Sequence, residues 1–529
     1  MSTVNINKSS ANKVYLTRLI IETTSPMAIN TGNRETLFDS QLARDVNNLP
    51  YIPATGIAGE WQSIARQTLL TDNLTKDTAE SDLAQWFGFT NKNSQDSSKN
   101  QNKTTSQASS LTISDGVLHN SNNEPVQGLL THEKINQDKV LSVLIQTRPH
   151  LRERVSINDR GVAKDTGKFD QILLPAGVRF CIDIKFFNDK LQNNLSENEI
   201  ATQWQKLLSC WQHPQFAFGS STRNGLGKIK IIASEQQVIE LSNNSNASEA
   251  SKALTAFAKR KNIPNKLDLP PSEQIKLFAN LPLKALDNWR CGSGTQLLDK
   301  ENKAKPEKSV SMISYSEAKF NWSNNKATFG EPIAMLCGSS IKGILAHRLA
   351  YHLRRHQGVW AEDMSEATHE QWQTRPEALQ DLLGISHEEH DKSLAGKLFV
   401  EDSPITYQHT TIRHHNSIDR FTGGVRKGAL FTEELLYQPE FTLKLSLQAG
   451  TQLTPELNAA LIDTLNDLKN GLLPMGAGSG RGTSLVMVNN SKQWLIDFDQ
   501  VQIKQIKAEA NIEENIEANV KGNTEGANE

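Results

Sequence analysis

Ile333-Ala334-Met335-Leu336-Cys337-Gly338-Ser339-Ser340-Ile341-Lys342-Gly343 is an apolar run leading into a helix-like stretch that opens on small and hydroxyl residues. An earlier segment, Pro50-Tyr51-Ile52-Pro53-Ala54-Thr55-Gly56-Ile57-Ala58-Gly59, runs into a helix-like stretch in the same way. Each half then closes on a glycine-rich loop. The first is Phe218-Gly219-Ser220-Ser221-Thr222-Arg223-Asn224-Gly225-Leu226-Gly227, and the second is Met475-Gly476-Ala477-Gly478-Ser479-Gly480-Arg481-Gly482. Two loop types, each occurring twice in the same order, indicate a domain duplication with a period of roughly 260–285 residues, too long for a solenoid.

The elements around these loops repeat as well. Val14 to Thr23 alternates polar and apolar β-formers and predicts a strand, and Gly59 to Leu70 carries helical spacing. Strands are expected over Leu111 to Leu118, over Ile172 to Phe187 with a break at Pro175-Ala176-Gly177, and over Gly227 to Ala233. A second helix is expected over Ala201 to Trp211. The second half offers helices at Ile344 to His356 and Pro455 to Leu468, with strands at Lys397 to Glu401, Phe441 to Leu447 and Thr483 to Val488. Both halves carry a strand ending in acid, Ser114-Asp115 and Glu401-Asp402. The order is that of a split βαβ, ferredoxin-like fold.

Composition narrows the function classes. A chain of 529 residues exceeds one ordinary core. No apolar run approaches a membrane span, and the polar N-terminus has no signal-peptide core. Cys181, Cys210, Cys291 and Cys337 are scattered, which indicates neither a disulfide framework nor a structural zinc site. A soluble cytoplasmic protein is expected. The net charge of −2 lies partly in an acidic tail, so nucleic-acid contact must come from local basic clusters or be shared with partners.

Glycine lets backbone N–H groups approach a phosphate closely, and Arg223 and Arg481 add a permanent charge that grips phosphate in bidentate fashion. Neither loop is a P-loop, because neither has the GxxxxGK[ST] pattern opening a long helix. Ala54-Thr55-Gly56 and Gly338-Ser339-Ser340 are helix starts suited to anions. The helices that follow carry Arg66 in the first half, and Lys342, Arg348, Arg354 and Arg355 in the second. Plain turns and solvated basic helix faces remain the bland alternatives.

Asp39, Asp45, Pro50-Tyr51-Ile52-Pro53, the small-residue helix start, the later Phe-Gly and Asp strand and the closing glycine loop together resemble the CRISPR-associated RAMP superfamily. More narrowly, the chain is similar to the backbone subunits of type III effector complexes. The resemblance implies an α+β protein of two tandem ferredoxin-like (RRM-like) domains with thumb hairpins and insertions. The expected modules span 14–234 and 275–490. They are flanked by a flexible N-terminus (1–13), a linker (235–274), an extension (491–506) and a disordered acidic tail (507–529), and a disordered loop is expected near 91–110.

The resemblance further implies guide RNA, complementary target RNA and other effector subunits as partners, with no membrane. RNA contact is then expected from Thr55, Gly56, Arg66, Arg223, Gly225 and Gly227, and from Ser339, Ser340, Lys342, Arg348, Gly480, Arg481 and Gly482. Thumbs are expected over Asn120 to Asp159, with Arg152 and Arg154, and over Tyr407 to Arg426, with Arg413, His415 and Arg420. Thr55-Gly56-Ile57-Ala58-Gly59 lacks the lysine that Ser339-Ser340-Ile341-Lys342-Gly343 retains. An Asp in the loop after the first strand is the family's target-cleaving residue. Asp39 occupies that position and is expected to hold Mg²⁺ or Mn²⁺, while Asp299 is its displaced counterpart. A structural subunit without nuclease activity and a metal-independent guide-processing enzyme using His414 and His415 remain alternatives.

Overall fold

The structure, a computed structural model, describes residues 12–31, 41–71, 83–90, 106–157, 163–188, 191, 196–241, 247–261, 265–269, 278–299, 310–360, 362–364, 368, 375–385, 393–497 and 502–503. Asp39, most of the 91–110 tract and the acidic tail lie outside these residues.

In the first half β1 (Lys13–Thr23) leads to α1 (Ala54–Thr71). The expected 111–118 strand is two short pieces, β2 (Leu111–Ile113) and β3 (Val117–Leu118). A hairpin of β4 (His150–Ile157) and β5 (Ala163–Leu173) follows. The chain then continues through β6 (Arg179–Phe187), α2 (Glu197–Ser209) and β7 (Ile229–Glu240). The antiparallel sheet runs β2-β6-β1-β7, with β1 between β6 and β7, which is the ferredoxin-like order. α2 is held at its start by a capping box between Ser196 and Glu199.

Alternation along β1 places Tyr15, Leu19 and Ile21 in the main core with Trp61, Trp86, Trp204 and Trp211. Val14 and Leu16 point to the opposite face. That face is covered by α3 (Ala247–Ala258), which buries Ala250 and Phe257 against it. The stretch expected to be a linker therefore contributes a helix to the first module. On the same face Arg18 pairs with Asp183 at 2.7 Å and donates to the carbonyl of Phe257 at 2.8 Å. Arg179 pairs with Glu22 at 2.8 Å and stacks on Trp322 at 4.0 Å. The sheet face that an RRM offers to RNA is closed here, because its apolar residues need cover.

The second half repeats the plan. β8 (Ala279–Lys284) is the first strand, and β9 (Ile333–Leu336) feeds α4 (Gly338–His356). β10 (Leu398–Val400) precedes a hairpin of β11 (His409–His415) and β12 (Phe431–Tyr437). β13 (Glu440–Leu447), α5 (Pro455–Lys469) and β14 (Met487–Val488) close the module. Its sheet runs β10-β13-β8-β14, the same order as the first. Both thumb expectations caught one arm of a hairpin and missed the returning strand, β5 or β12.

A buried cation ties the halves together. Arg152, on β4, is 1% exposed. It pairs with Glu317, and its Nη2 lies 2.8 Å from Asp402 Oδ2, both carboxylates belonging to the second half. Tyr315 donates its hydroxyl to Glu317 at 2.6 Å. Opposing burial, the Arg152 charge and hydrogen bonds hold Glu317 at about 2. A carboxyl depressed in the folded state stabilises above its unfolded pKa, and that contribution is lost as pH falls through about 2. Truncating Arg152→Ala removes the guanidinium that both buried carboxylates share and is expected to cost about 3–5 kcal/mol. Denaturant unfolding of the variant against the parent chain checks this.

Candidate nucleic-acid interface

The two glycine-rich loops have the same backbone. In the first, Thr222–Asn224 forms one 3₁₀ turn between left-handed Ser221 (φ 60°) and Gly225 (φ 92°). In the second, Ser479–Arg481 forms one between Gly478 (φ 77°) and Gly482 (φ 78°). The acid after each second strand also has one role. Asp115 accepts from the amide of Ala54 at 2.8 Å, and Asp402 accepts from the amide of Gly338 at 2.7 Å, so each acid caps its module's first helix.

The structure brings the first loop onto the second helix start. A Cβ on Gly225 would lie 2.6 Å from the Asp402 amide nitrogen, and one on Gly338 would lie 2.7 Å from the Asn224 carbonyl. Such approach is open only to glycine. Beside this contact is a cavity of about 510 Å³ lined by Arg223, Ser339, Lys342 and Arg375, among others. Arg223 donates to the carbonyl of Gly396 at 3.0 Å, Lys342 to that of Leu398 at 3.1 Å and Arg375 to that of Gly384 at 2.9 Å. Burial, aided by Arg223 and Arg375, pushes Lys342 down to about 8. Three cations are thus crowded at the N-terminus of a 19-residue helix, an arrangement whose charge and helix dipole are suited to an anion. Arg375 is absent from the sequence reading, and no motif surrounds it.

Arg154 lies on the other side of the same loop. Its Nη1 donates to Ser221 Oγ at 3.3 Å, while its buried Nε and Nη2 have no hydrogen-bond partner among the described residues. Burial and the adjacent Arg152 push its pKa down to about 10. A buried guanidinium with unmet donors calls for an acceptor, which a phosphate supplies. Arg152 itself is taken up by Glu317 and Asp402.

Other expected RNA contacts are placed differently. Thr55 and Gly56 are exposed at the start of α1, and Arg66 lies further along it, half-buried. Gly225 and Gly227 are buried in the first loop. Ser340 is exposed on α4, but Arg348 there pairs with Asp467 of α5, as does His352 at 2.6 Å. Gly480, Arg481 and Gly482 are exposed in the second loop. Arg481 lies 3.8 Å from the buried Glu433, which also accepts His415 at 2.6 Å. The hairpins share register: Arg154 faces Phe169 as His415 faces Phe431, and Arg152 faces Gln171 as Arg413 faces Glu433. Arg420 is exposed at the second hairpin's tip, next to a 99% exposed Phe421.

Asp299 is 8% exposed, and its amide donates to Glu434 Oε1 at 2.8 Å. Among the described residues no group of three or more His, Cys, Asp or Glu side chains is placed to hold a metal ion. A divalent cation at Asp299 would therefore draw its remaining ligands from water and substrate phosphate, which is the usual habit of Mg²⁺.

The sequence profile of the RAMP superfamily matches residues 20–230 and 323–486. The chain belongs to the RAMP superfamily. The two matched regions correspond to its two modules, although the second match begins beyond β8, the strand that an insertion separates from α4. No curated protein matches the chain. Membership supports a CRISPR-associated RNA-binding subunit that acts in a complex, and among the described residues no helix is long and apolar enough to cross a membrane.

Lys342 is expected to react with an amine-acylating reagent at pH 8 well ahead of ordinary lysines, with protection by added RNA oligonucleotide. Site-resolved mass spectrometry of the labelled protein checks this, and uniform lysine reactivity would contradict it.

Proposed function

We propose that this RAMP protein is a backbone subunit of a type III-like CRISPR effector that holds guide RNA across both modules and cuts complementary target RNA. The observation that carries the reading is the composite anion receptor, built from the glycine loop of one module and the helix start of the next. A single module cannot build it alone. Its cations address phosphates and leave the reading of sequence to guide–target pairing. The closed sheet face of the first module supports the same view, since contact must then come from loops, helix starts and hairpins. At the second hairpin's tip, Phe421 and Arg420 offer an aromatic plane and a charge suited to unstacking a base pair.

Cleavage is assigned to Asp39 and Asp299, each of which follows its module's first strand in the sequence. A bound Mg²⁺ or Mn²⁺ would supply charge stabilisation at the scissile phosphate. The chain's own part is to hold a carboxylate beside the 2′-hydroxyl or the cation. Guide processing by histidines is less favoured, because His415 is bonded to buried Glu433 and stacked on Phe431 at 4.8 Å.

Assembled complexes are to be incubated with complementary RNA and Mg²⁺. Two cuts at fixed spacing are expected, one lost in Asp39→Ala and the other in Asp299→Ala, and both lost with EDTA. An intact target would identify a purely structural subunit. EDTA-resistant cutting of precursor guide would identify a processing enzyme.

A further inference from the structure

Glu434 sits on β12 with 0% exposure. Its Oε1 accepts two consecutive backbone N–H groups, from Leu298 at 2.7 Å and Asp299 at 2.8 Å. Its own backbone is fastened on both sides: the amide donates to the Met312 carbonyl at 2.9 Å, and the carbonyl accepts from Ser314 Oγ at 3.3 Å. The second carboxylate oxygen is buried without a hydrogen-bond partner among the described residues. Two charge-assisted bonds from adjacent amides to one oxygen fix a loop more firmly than neutral contacts do.

The fold does not require an acid at this position. In hairpin register Glu434 faces Ile412, and the matching pair in the first module is Ile172 facing Leu151. An isoleucine suits a hairpin strand packed on a core, whereas a buried carboxylate is costly unless its bonds return the loss. Glu434 is therefore particular to the second module, where the Asp299 loop carries a long insertion. Burial raises the Glu434 pKa, opposed by the amide bonds and reinforced by the Asp299 carboxylate. Tyr407 is raised too, by burial and by both acids, so its ring lies near the same pair.

We infer that Glu434 is a positioning residue for Asp299: a buried carboxylate that grips the Leu298 and Asp299 amides and so holds the Asp299 side chain in register for target cleavage. The inference rests on the assignment of Asp299 to cleavage. It explains how an acid displaced from its usual sequence neighbourhood is returned to a defined place. In the first module the same hairpin position is Ile172, so the dependence on Glu434 belongs to one of the two cuts.

The test compares Glu434→Ala, Glu434→Asp and Glu434→Gln with Asp299→Ala in the assembled, guide-loaded complex. Rates are read separately at the two cuts, together with target-RNA affinity. Glu434→Ala and Glu434→Asp are expected to slow the Asp299-dependent cut about 10- to 100-fold, as for a displacement on the order of 1 Å. The other cut and target affinity stay at parent values. Glu434→Gln, which still offers an oxygen to the two amides, is expected to remain within about three-fold of the parent. Should Glu434→Ala fail to assemble, Glu434→Asp retains the charge and carries the test. Equal slowing of both cuts would show a merely structural role and overturn the proposal. Parent rates in Glu434→Asp, with one cut lost in Asp299→Ala, would overturn it while leaving the function standing. Both cuts intact in Asp299→Ala would remove the assignment itself.

Discussion

A single guanidinium, buried between two carboxylates of the other half, sets the frame of this molecule. Arg152 leaves the hairpin of the first module and ends between Glu317 and Asp402 of the second. An ion pair that deep tolerates little displacement, because each charge is costly without its partners. Asp402 also caps α4 through the amide of Gly338. One carboxylate thus couples the seam between modules to the start of the helix beside the cavity lined by Arg223, Lys342 and Arg375.

The two modules are copies in topology and unequal in chemistry. The first gives its glycine loop to the second, while the loop of the second is exposed around Gly480 and Arg481. The first closes its sheet face with α3 and the Arg18–Asp183 pair. The second anchors its displaced acid with Glu434, where the first has Ile172. Duplication supplied a common frame, and side-chain differences divided the tasks between its halves.

Much of the fold was legible in the residues. Period-two alternation marked β1, helical spacing marked α1 and α5, and the paired glycine loops marked the duplication. The acids at Asp115 and Asp402 were visible as strand ends, but not as helix caps, because a cap across tens of residues leaves no local signature. The returning hairpin arms were missed where polar residues interrupt alternation. The 247–258 helix was read as linker because its composition is Ala, Ser and Glu, and only its buried Ala250 and Phe257 show it packing. Among candidate site residues, Arg223, Ser339 and Lys342 do meet in one cavity. Arg152 and Arg348 are instead engaged by protein carboxylates, and Asp39 lies outside the described residues.

By itself the sequence determined that there are two ferredoxin-like modules, that each carries a glycine loop and a small-residue helix start, and that basic groups gather near them. Those are local properties, written in spacing and residue type. Only the tertiary structure decided that the loop of one module serves the helix of the other, that Arg152 is a clamp, and that Glu434 reaches Asp299. Such contacts join residues more than a hundred positions apart. Pairing at that distance is set by how two cores pack and by which buried charges must be satisfied, and no local pattern records either.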